Sequence, residues 1–226
     1  NNNLDSFVIG ISGGVDSAVT STLCAMTGCK TIVVTMPILQ NPDETDRGMA
    51  HCSWLLENYK DVETHNIDLT DVYNQFKDTM PSQFNSPLAL ANTRARIRMS
   101  TLYLIAGSSN GIVVGTGNKV EDFGVGFYTK YGDGGVDISP IADCTKTQVW
   151  ELGKYLGVSE KIINSEPTDG LWNDGRNDVQ QLGMTYEDLE KAMINKNDQN
   201  YKKYLEIRKK NLHKMKPIPV CTFNEE

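Results

Sequence analysis

The chain has 226 residues and a mass of 25.1 kDa, enough to enclose a full hydrophobic core in a single domain over residues 1–226. With 39% hydrophobic and 23% charged residues, its composition is that of a globular protein and excludes a disordered one. Its 22 basic and 29 acidic residues leave a net charge of −7, which speaks against a nucleic-acid partner.

In chain order, Asn1-Asn2-Asn3 carries neither the basic nor the apolar region of a secretory signal. Ser6 to Ser12 is a compact β-branched run ended by glycines, expected to be a strand buried on both faces. A helix from Asp16 follows, with Val19, Leu23 and Met26 at helical spacing and Gly28 as its stop. Lys30 to Met36 is a second buried strand closed by Pro37, and Pro42-Asp43 opens a second helix with Asp43 as its N-cap. Glu63 to Ile67 forms a third strand and Asp71 to Lys77 a short helix. Leu88 to Ile105 is a helix carrying Arg94, Arg96 and Arg98 and ended by Gly107, and Gly111 to Gly117 is the fourth strand. Thr185 to Ile194 and Asn200 to Lys214 are charged helices ahead of a proline-rich tail.

Strands and helices alternating at roughly 30-residue spacing predict an α/β fold, a doubly wound parallel sheet with helices on both faces. Ligands of such sheets bind at the carboxyl ends of the strands. The apolar runs, such as Phe7 to Ile11, fall far short of the ~20 residues of a membrane span, so no membrane association is expected. Cys24, Cys29, Cys52, Cys144 and Cys221 are scattered and make no C-x-x-C pair. They read as reduced thiols in a cytoplasmic protein.

Ser12-Gly13-Gly14-Val15-Asp16-Ser17 sits where the first strand hands over to the first helix. Two glycines allow a tight turn and close approach of a ligand, and the free amides of a helix start point at an anion. Ser12 and Ser17 add hydroxyl donors. The string lacks the G-K-[ST] ending of a Walker A loop and is not G-x-G-x-x-G. It resembles the SGG-x-D-S signature of the ATP pyrophosphatases, in which this loop holds the phosphates that leave as pyrophosphate. Asp16 beside a triphosphate then calls for a bridging cation, for which Mg2+ is the usual choice.

GTGNKVED (115–122), FYTKYGDGGVDISPIADCTKTQV (127–149), LGKYLGV (152–158) and NTRARIRM (92–99) resemble the ammonia-dependent NAD synthetases, which share the adenine nucleotide alpha hydrolase-like fold. The resemblance runs from about Phe7 to Lys214. It implies that ATP is contacted by Gly10, by Ser12, Gly13, Gly14, Val15, Asp16 and Ser17 of the loop, and by Gln40, Thr116, Lys146 and Thr168. It gives Asp16 and Lys146 catalytic parts and makes Asp16 and Glu121 the Mg2+ ligands. It places deamido-NAD on Asn92, Arg96, Lys130, Asp133, His213 and Lys214. The implied reaction is amidation of deamido-NAD with ammonia, releasing AMP and pyrophosphate through an acyl adenylate, the last step of NAD biosynthesis. A homodimer is implied as well. The length leaves little room for an attached glutaminase, so ammonia is expected to arrive free or from a separate partner.

Blander roles remain for several of these residues. Arg94, Arg96 and Arg98 suit a solvated helix face, and His213 suits a favourable charge at a helix end. The interval from Glu121 to Asp133 is one residue longer than the usual spacing of the family, which leaves Glu121 and Asp122 as alternative metal-facing carboxylates. Leu88 stands where many members have an aromatic residue. The segment from Pro167 to Gly183, with Asp169, Asp174 and Asp178, has the composition of a mobile cover. Three rivals are a tRNA-modifying pyrophosphatase, a GMP synthetase core and a catalytically silent nucleotide sensor. The first would need a cysteine pair and a basic surface; the last has no use for a metal on a leaving pyrophosphate.

Overall fold

The computed structural model describes residues 4–168, 170 and 177–223. β1 (Ser6–Gly10), β2 (Lys30–Thr35), β3 (Val62–Asn66) and β4 (Gly111–Val113) form one parallel sheet in the order β3-β2-β1-β4. The chain starts in the middle and winds outward both ways, so the switch point lies between β1 and β4, where a crevice opens at the carboxyl ends.

Alternation along the strands decides which helix covers which face. Val8, Ile32 and Val34 pack with Met99, Leu102 and Ala106 of α4 (Pro87–Ser108) and Tyr73 of α3 (Thr70–Thr79). Ile9 and Val33 point the other way, onto Cys24 and Ala25 of α1 (Val15–Met26) and Cys52 and Leu55 of α2 (Pro42–Asn58). A third cluster joins Val15 and Val19 of α1 to Val149 of α5 (Lys146–Tyr155) and Ile162 and Ile163 of α6 (Glu160–Ile163). A fourth brings Val120 and Val125 together with α7 (Asp178–Leu182), α8 (Tyr186–Ile194) and α9 (Tyr201–Met215).

The expected elements are present with shifted ends. Asn41, not Asp43, caps α2: its side chain accepts from the amide of Asp43, which stands in the first turn behind Pro42. Gly107 does not stop α4, which runs on to Ser108 and is capped at Ser109. β4 is three residues long instead of seven: Val114 still donates its amide to Val8 of β1 at 2.9 Å and then pairs in an isolated bridge with Ile138, where the chain turns from the sheet. Lys119–Val125 is a π-helical segment. Asp169 and Asp174 lie outside the described residues. Among the described residues no helix is long and apolar enough to cross a membrane.

Candidate active site at the carboxyl ends of β1 and β4

The turn after β1 is built from its own atoms. Ser17 Oγ donates to the Gly14 carbonyl at 3.0 Å and lies 3.1 Å from Ser12 Oγ, which accepts from the Gly14 amide at 3.2 Å. Gly13 has φ of +86°, and a Cβ there would fall 2.3 Å from the carbonyl oxygen of Glu44 in α2. Gly14, the N-cap of α1, supplies no side-chain cap. The opening amides of α1 therefore face a ligand position with their partial positive charge unspent.

Next to that helix start lies a buried ion triad. Lys146, the first residue of α5, places its Nζ 2.6 Å from Asp16 Oδ2 and 2.9 Å from Glu121 Oε1. Its side chain is 3% exposed, against 18% for Asp16 and 15% for Glu121. Burial alone would lower Lys146, but the two carboxylates outweigh it and hold the ammonium charged, well above the usual lysine range. Burial raises Glu121, yet the Lys146 charge and the bonds from Tyr186 and Lys146 bring it below its ordinary value. For Asp16, burial prevails over the pull of Lys146 and raises it.

Asn118 ties the triad to the backbone. Its Nδ2 donates to Asp16 Oδ1 at 2.9 Å, and its Oδ1 accepts from the amides of Val120 and Glu121, capping the π-helical segment. Glu121 is the carboxylate that reaches Asp16. Asp122 lines the same pocket from the other side, its Oδ2 so close to Gly117 that a Cβ there would lie 1.9 Å away. Burial, then Asp133, Glu121 and Asp16, push Asp122 well above the carboxylate range.

One pocket collects most residues expected to hold ATP: Gly10, Ser12, Val15, Asp16, Ser17, Gln40, Thr116, Lys146 and Thr168 all line it, together with Glu121 and Asp133. Gly13 and Gly14 lie in the turn just behind. Arg98 anchors the far wall, donating to the Met36 carbonyl at 2.9 Å and to Gln40 Oε1 at 3.2 Å, while Gln40 Nε2 donates to Glu44 at 2.7 Å. The Gln40 amide is thereby fixed in orientation. Arg98 is not a solvated arginine, and neither is Arg94, which is buried with its guanidinium 5.0 Å from the centre of the Tyr73 ring. Arg96 is the exposed member of the three.

The residues expected to bind the dinucleotide gather around the loop 128–135. Thr129 donates from Oγ1 to Asn92 Oδ1 at 2.8 Å and from its amide to Asp133 Oδ1 at 3.0 Å. Arg96 Nε donates to the Lys130 carbonyl at 3.3 Å, Lys130 Nζ to the His213 carbonyl at 3.3 Å, and Lys214 Nζ to the Tyr128 carbonyl at 2.7 Å. The loop is not a plain surface turn: a Cβ on Gly134 would meet the Tyr128 ring at 2.3 Å. His213 joins through its backbone, and the residue itself is exposed.

Sequence reasoning assigned no role to Asn118, Tyr186 or Asp178. Tyr186 Oη lies 2.5 Å from Glu121 Oε1 and 2.8 Å from Asp178 Oδ2. Asn118 carried a usable signal, an Asn just ahead of an apolar-acidic run; Tyr186 carried none, because its partner is 65 residues away.

Among the described residues the pocket is lined by neither cysteine nor histidine. It is suited to holding a triphosphate by amides, an ammonium and a cation, with an acceptor substrate on the neighbouring loop. Five carboxylates line the pocket, Asp16, Glu121, Asp122, Asp133 and Asp178, against two cations, Arg98 and Lys146. Two of the five converge on a single point that a cation already fills, a donor set that fits Mg2+ shared with substrate phosphates.

Comparisons with known proteins bear on the family and the fold. The family described as NAD synthase matches residues 1–222. The chain is 40% identical over 198 residues to the NH(3)-dependent NAD(+) synthetase of Carboxydothermus hydrogenoformans, covering 85% of this chain and 78% of that one. It superposes on the NMN synthetase of Francisella tularensis with a TM-score of 0.89 at 31% identity, over 98% of this chain and 91% of that one. The NH3-dependent NAD synthetase of Campylobacter jejuni, at 24% identity and a TM-score of 0.77 over 98% and 92% of the two chains, shares the fold.

Proposed function

The chain belongs to the NAD synthase family, and from that premise we propose how its residues divide the work of amidating deamido-NAD with ammonia and ATP. The family reaction is a ligation forming a C–N bond: the nicotinate carboxylate is adenylylated with loss of pyrophosphate, and ammonia displaces AMP. The observation that carries the residue assignment is the meeting of Asp16, Lys146 and Glu121 beside the uncapped start of α1.

In this reading the amides from Gly13 to Ser17 receive the β and γ phosphates, and Lys146 adds a point charge. Gln40, oriented by Arg98 and Glu44, reads the adenine or ribose, with Gly10, Thr116 and Thr168 lining the rest. Asp16 and Glu121 hold Mg2+, which when bound offsets the charge of the departing pyrophosphate. Asn92, Arg96, Lys130, Asp133, His213 and Lys214 hold deamido-NAD. The Ser165–Thr168 wall keeps water from the adenylate, which water would hydrolyse. The assignment carries with it one synthetase domain over residues 1–226, a cytoplasmic location, and a homodimer. Sedimentation at micromolar concentration giving 25.1 kDa would remove the dimer.

The test is to mix the protein with ATP, Mg2+, deamido-NAD and ammonium and to measure NAD, AMP and pyrophosphate, which should appear in equal amounts. Pyrophosphate released without deamido-NAD would sink the assignment. The likeness to an NMN synthetase favours a second reading, the same amidation performed on nicotinate mononucleotide. Offering both nucleotides in competition decides between them, since the ratio of the two kcat/KM values names the substrate.

A further inference from the structure

Tyr186 opens α8 behind the cap of Thr185 and is 4% exposed. Its ring stands edge-on to Trp150, with centroids 5.7 Å apart, and Lys146 Nζ lies 5.0 Å from its centre. Its hydroxyl lies 2.5 Å from Glu121 Oε1 and 2.8 Å from Asp178 Oδ2. Asp178 in turn donates its amide to the Pro167 carbonyl, so one side chain links Glu121 to the wall that carries Thr168.

Glu121 has particular need of such a support. It sits in a π-helical segment, whose turns are wider and less favourable than α-helical turns. The other side-chain donor to its Oε1 is Lys146, an ammonium on a flexible four-carbon stem. Once Lys146 turns to a triphosphate, the hydroxyl of Tyr186 remains as the close donor to Oε1, with Asn118 beside the same carboxylate. We propose that Tyr186 is a positioning residue: its hydroxyl fixes the Glu121 carboxylate for the cation shared with Asp16. This rests on the reading that Glu121 is a metal ligand.

Tyr186→Phe keeps the contacts with Trp150 and Lys146 and removes the hydroxyl's bonds to Glu121 and to Asp178, so the measurement without metal reads the effect of the Asp178 bond alone. Its effect is read by calorimetric titration with α,β-methylene-ATP, which cannot be cleaved, once with Mg2+ and once with EDTA. In EDTA the variant binds as the native chain does. With Mg2+ it binds about tenfold more weakly, the size expected for a lost hydrogen bond to a charged group. Glu121→Gln loses the Mg2+ gain altogether, and the double variant binds no more weakly than Glu121→Gln, because Tyr186 acts through Glu121. Turnover follows the same pattern, with KM for deamido-NAD unchanged in Tyr186→Phe.

A Glu121→Gln chain that keeps the Mg2+ gain overturns the metal assignment and the proposal with it. If Glu121→Gln loses the gain while Tyr186→Phe keeps it within twofold, the proposal alone fails. It fails too if the Tyr186→Phe loss adds in full to that of Glu121→Gln, or if Tyr186→Phe no longer folds, since the hydroxyl is then a structural group.

Discussion

Lys146 fills the gap between Asp16 and Glu121 with an ammonium whose distances to the two carboxylates are 2.6 and 2.9 Å. A divalent cation arriving alone must compete with a charge already in place. Replacing Lys146 with Met would leave two carboxylates facing each other with no cation between them, a loss of about 3 kcal/mol or more for a buried pair broken on one side. Thermal melting of Lys146→Met should therefore show a lower Tm, partly restored by millimolar Mg2+, whereas the native chain should gain little from Mg2+ alone. His51 shows burial acting without a partner charge. Buried against Trp54 and bonded to Ser21 at 3.0 Å, it is pushed down to about 4, chiefly by burial. A base lowered in the folded state stays neutral there while the unfolded chain takes up a proton below about 6.5, so its contribution is complete above that pH and is lost as pH falls towards 4. The loss by pH 5 should be about 2 kcal/mol; denaturant melts at pH 7.5 and pH 5 should differ by about that much more in the native chain than in His51→Gln, which leaves the other titrating groups in place. The turn from Ser12 to Ser17 was legible in the sequence because the bonds among Ser12, Gly14 and Ser17 are made within six consecutive residues. Tyr186 and Arg98 were not, and of Asn118 only the local cap was, since each meets the site through a residue more than fifty positions away, a distance no local pattern records.

At the scale of elements, the informative feature is the π-helical turn at Lys119–Val125, a rare form that tends to occur at functional sites. Such a turn leaves carbonyls in need of donors, and α9 supplies them from one face. Arg208 donates to the carbonyls of Phe123 and Gly124, both at 2.5 Å, Asn211 to Val125 at 3.0 Å, and Lys214 to Tyr128 at 2.7 Å. Residues 208, 211 and 214 recur every third position, so they share that face. Arg208→Ala should cost about 1–2 kcal/mol by denaturant melting and should raise KM for deamido-NAD more than KM for ATP, because α9 ends on the substrate loop. Equal changes in both KM values would separate α9 from that loop. The strands and long helices were legible through buried runs, the proline that opens α2 and the glycine beyond α1, whereas Gly107 misled for α4. The π-helical turn left no periodicity to read, and a charged helix such as α9 does not announce which carbonyls it will meet.

At the scale of the whole molecule, a chain of net charge −7 has to receive anionic nucleotides in a pocket lined by five carboxylates and two cations. Lys130 of the 128–135 loop stands outside that pocket, and so do Arg96 of α4 and Lys214 of α9, which donate to carbonyls of the loop. The structure divides these cations, with Lys146 among carboxylates and the other three around the loop. The two substrates therefore meet different fields. ATP without a divalent cation approaches a region of its own sign, and added salt screens repulsion there instead of attraction, over a distance that shrinks from about 30 Å at 0.01 M to about 8 Å at 0.15 M. Deamido-NAD approaches exposed cations, and salt screens an attraction. Raising KCl in EDTA should accordingly tighten ATP binding while weakening that of deamido-NAD, opposite slopes that paired calorimetric titrations read directly. Parallel slopes would mean that one field governs both sites, and the division of charge between pocket and loop would have no bearing on recognition.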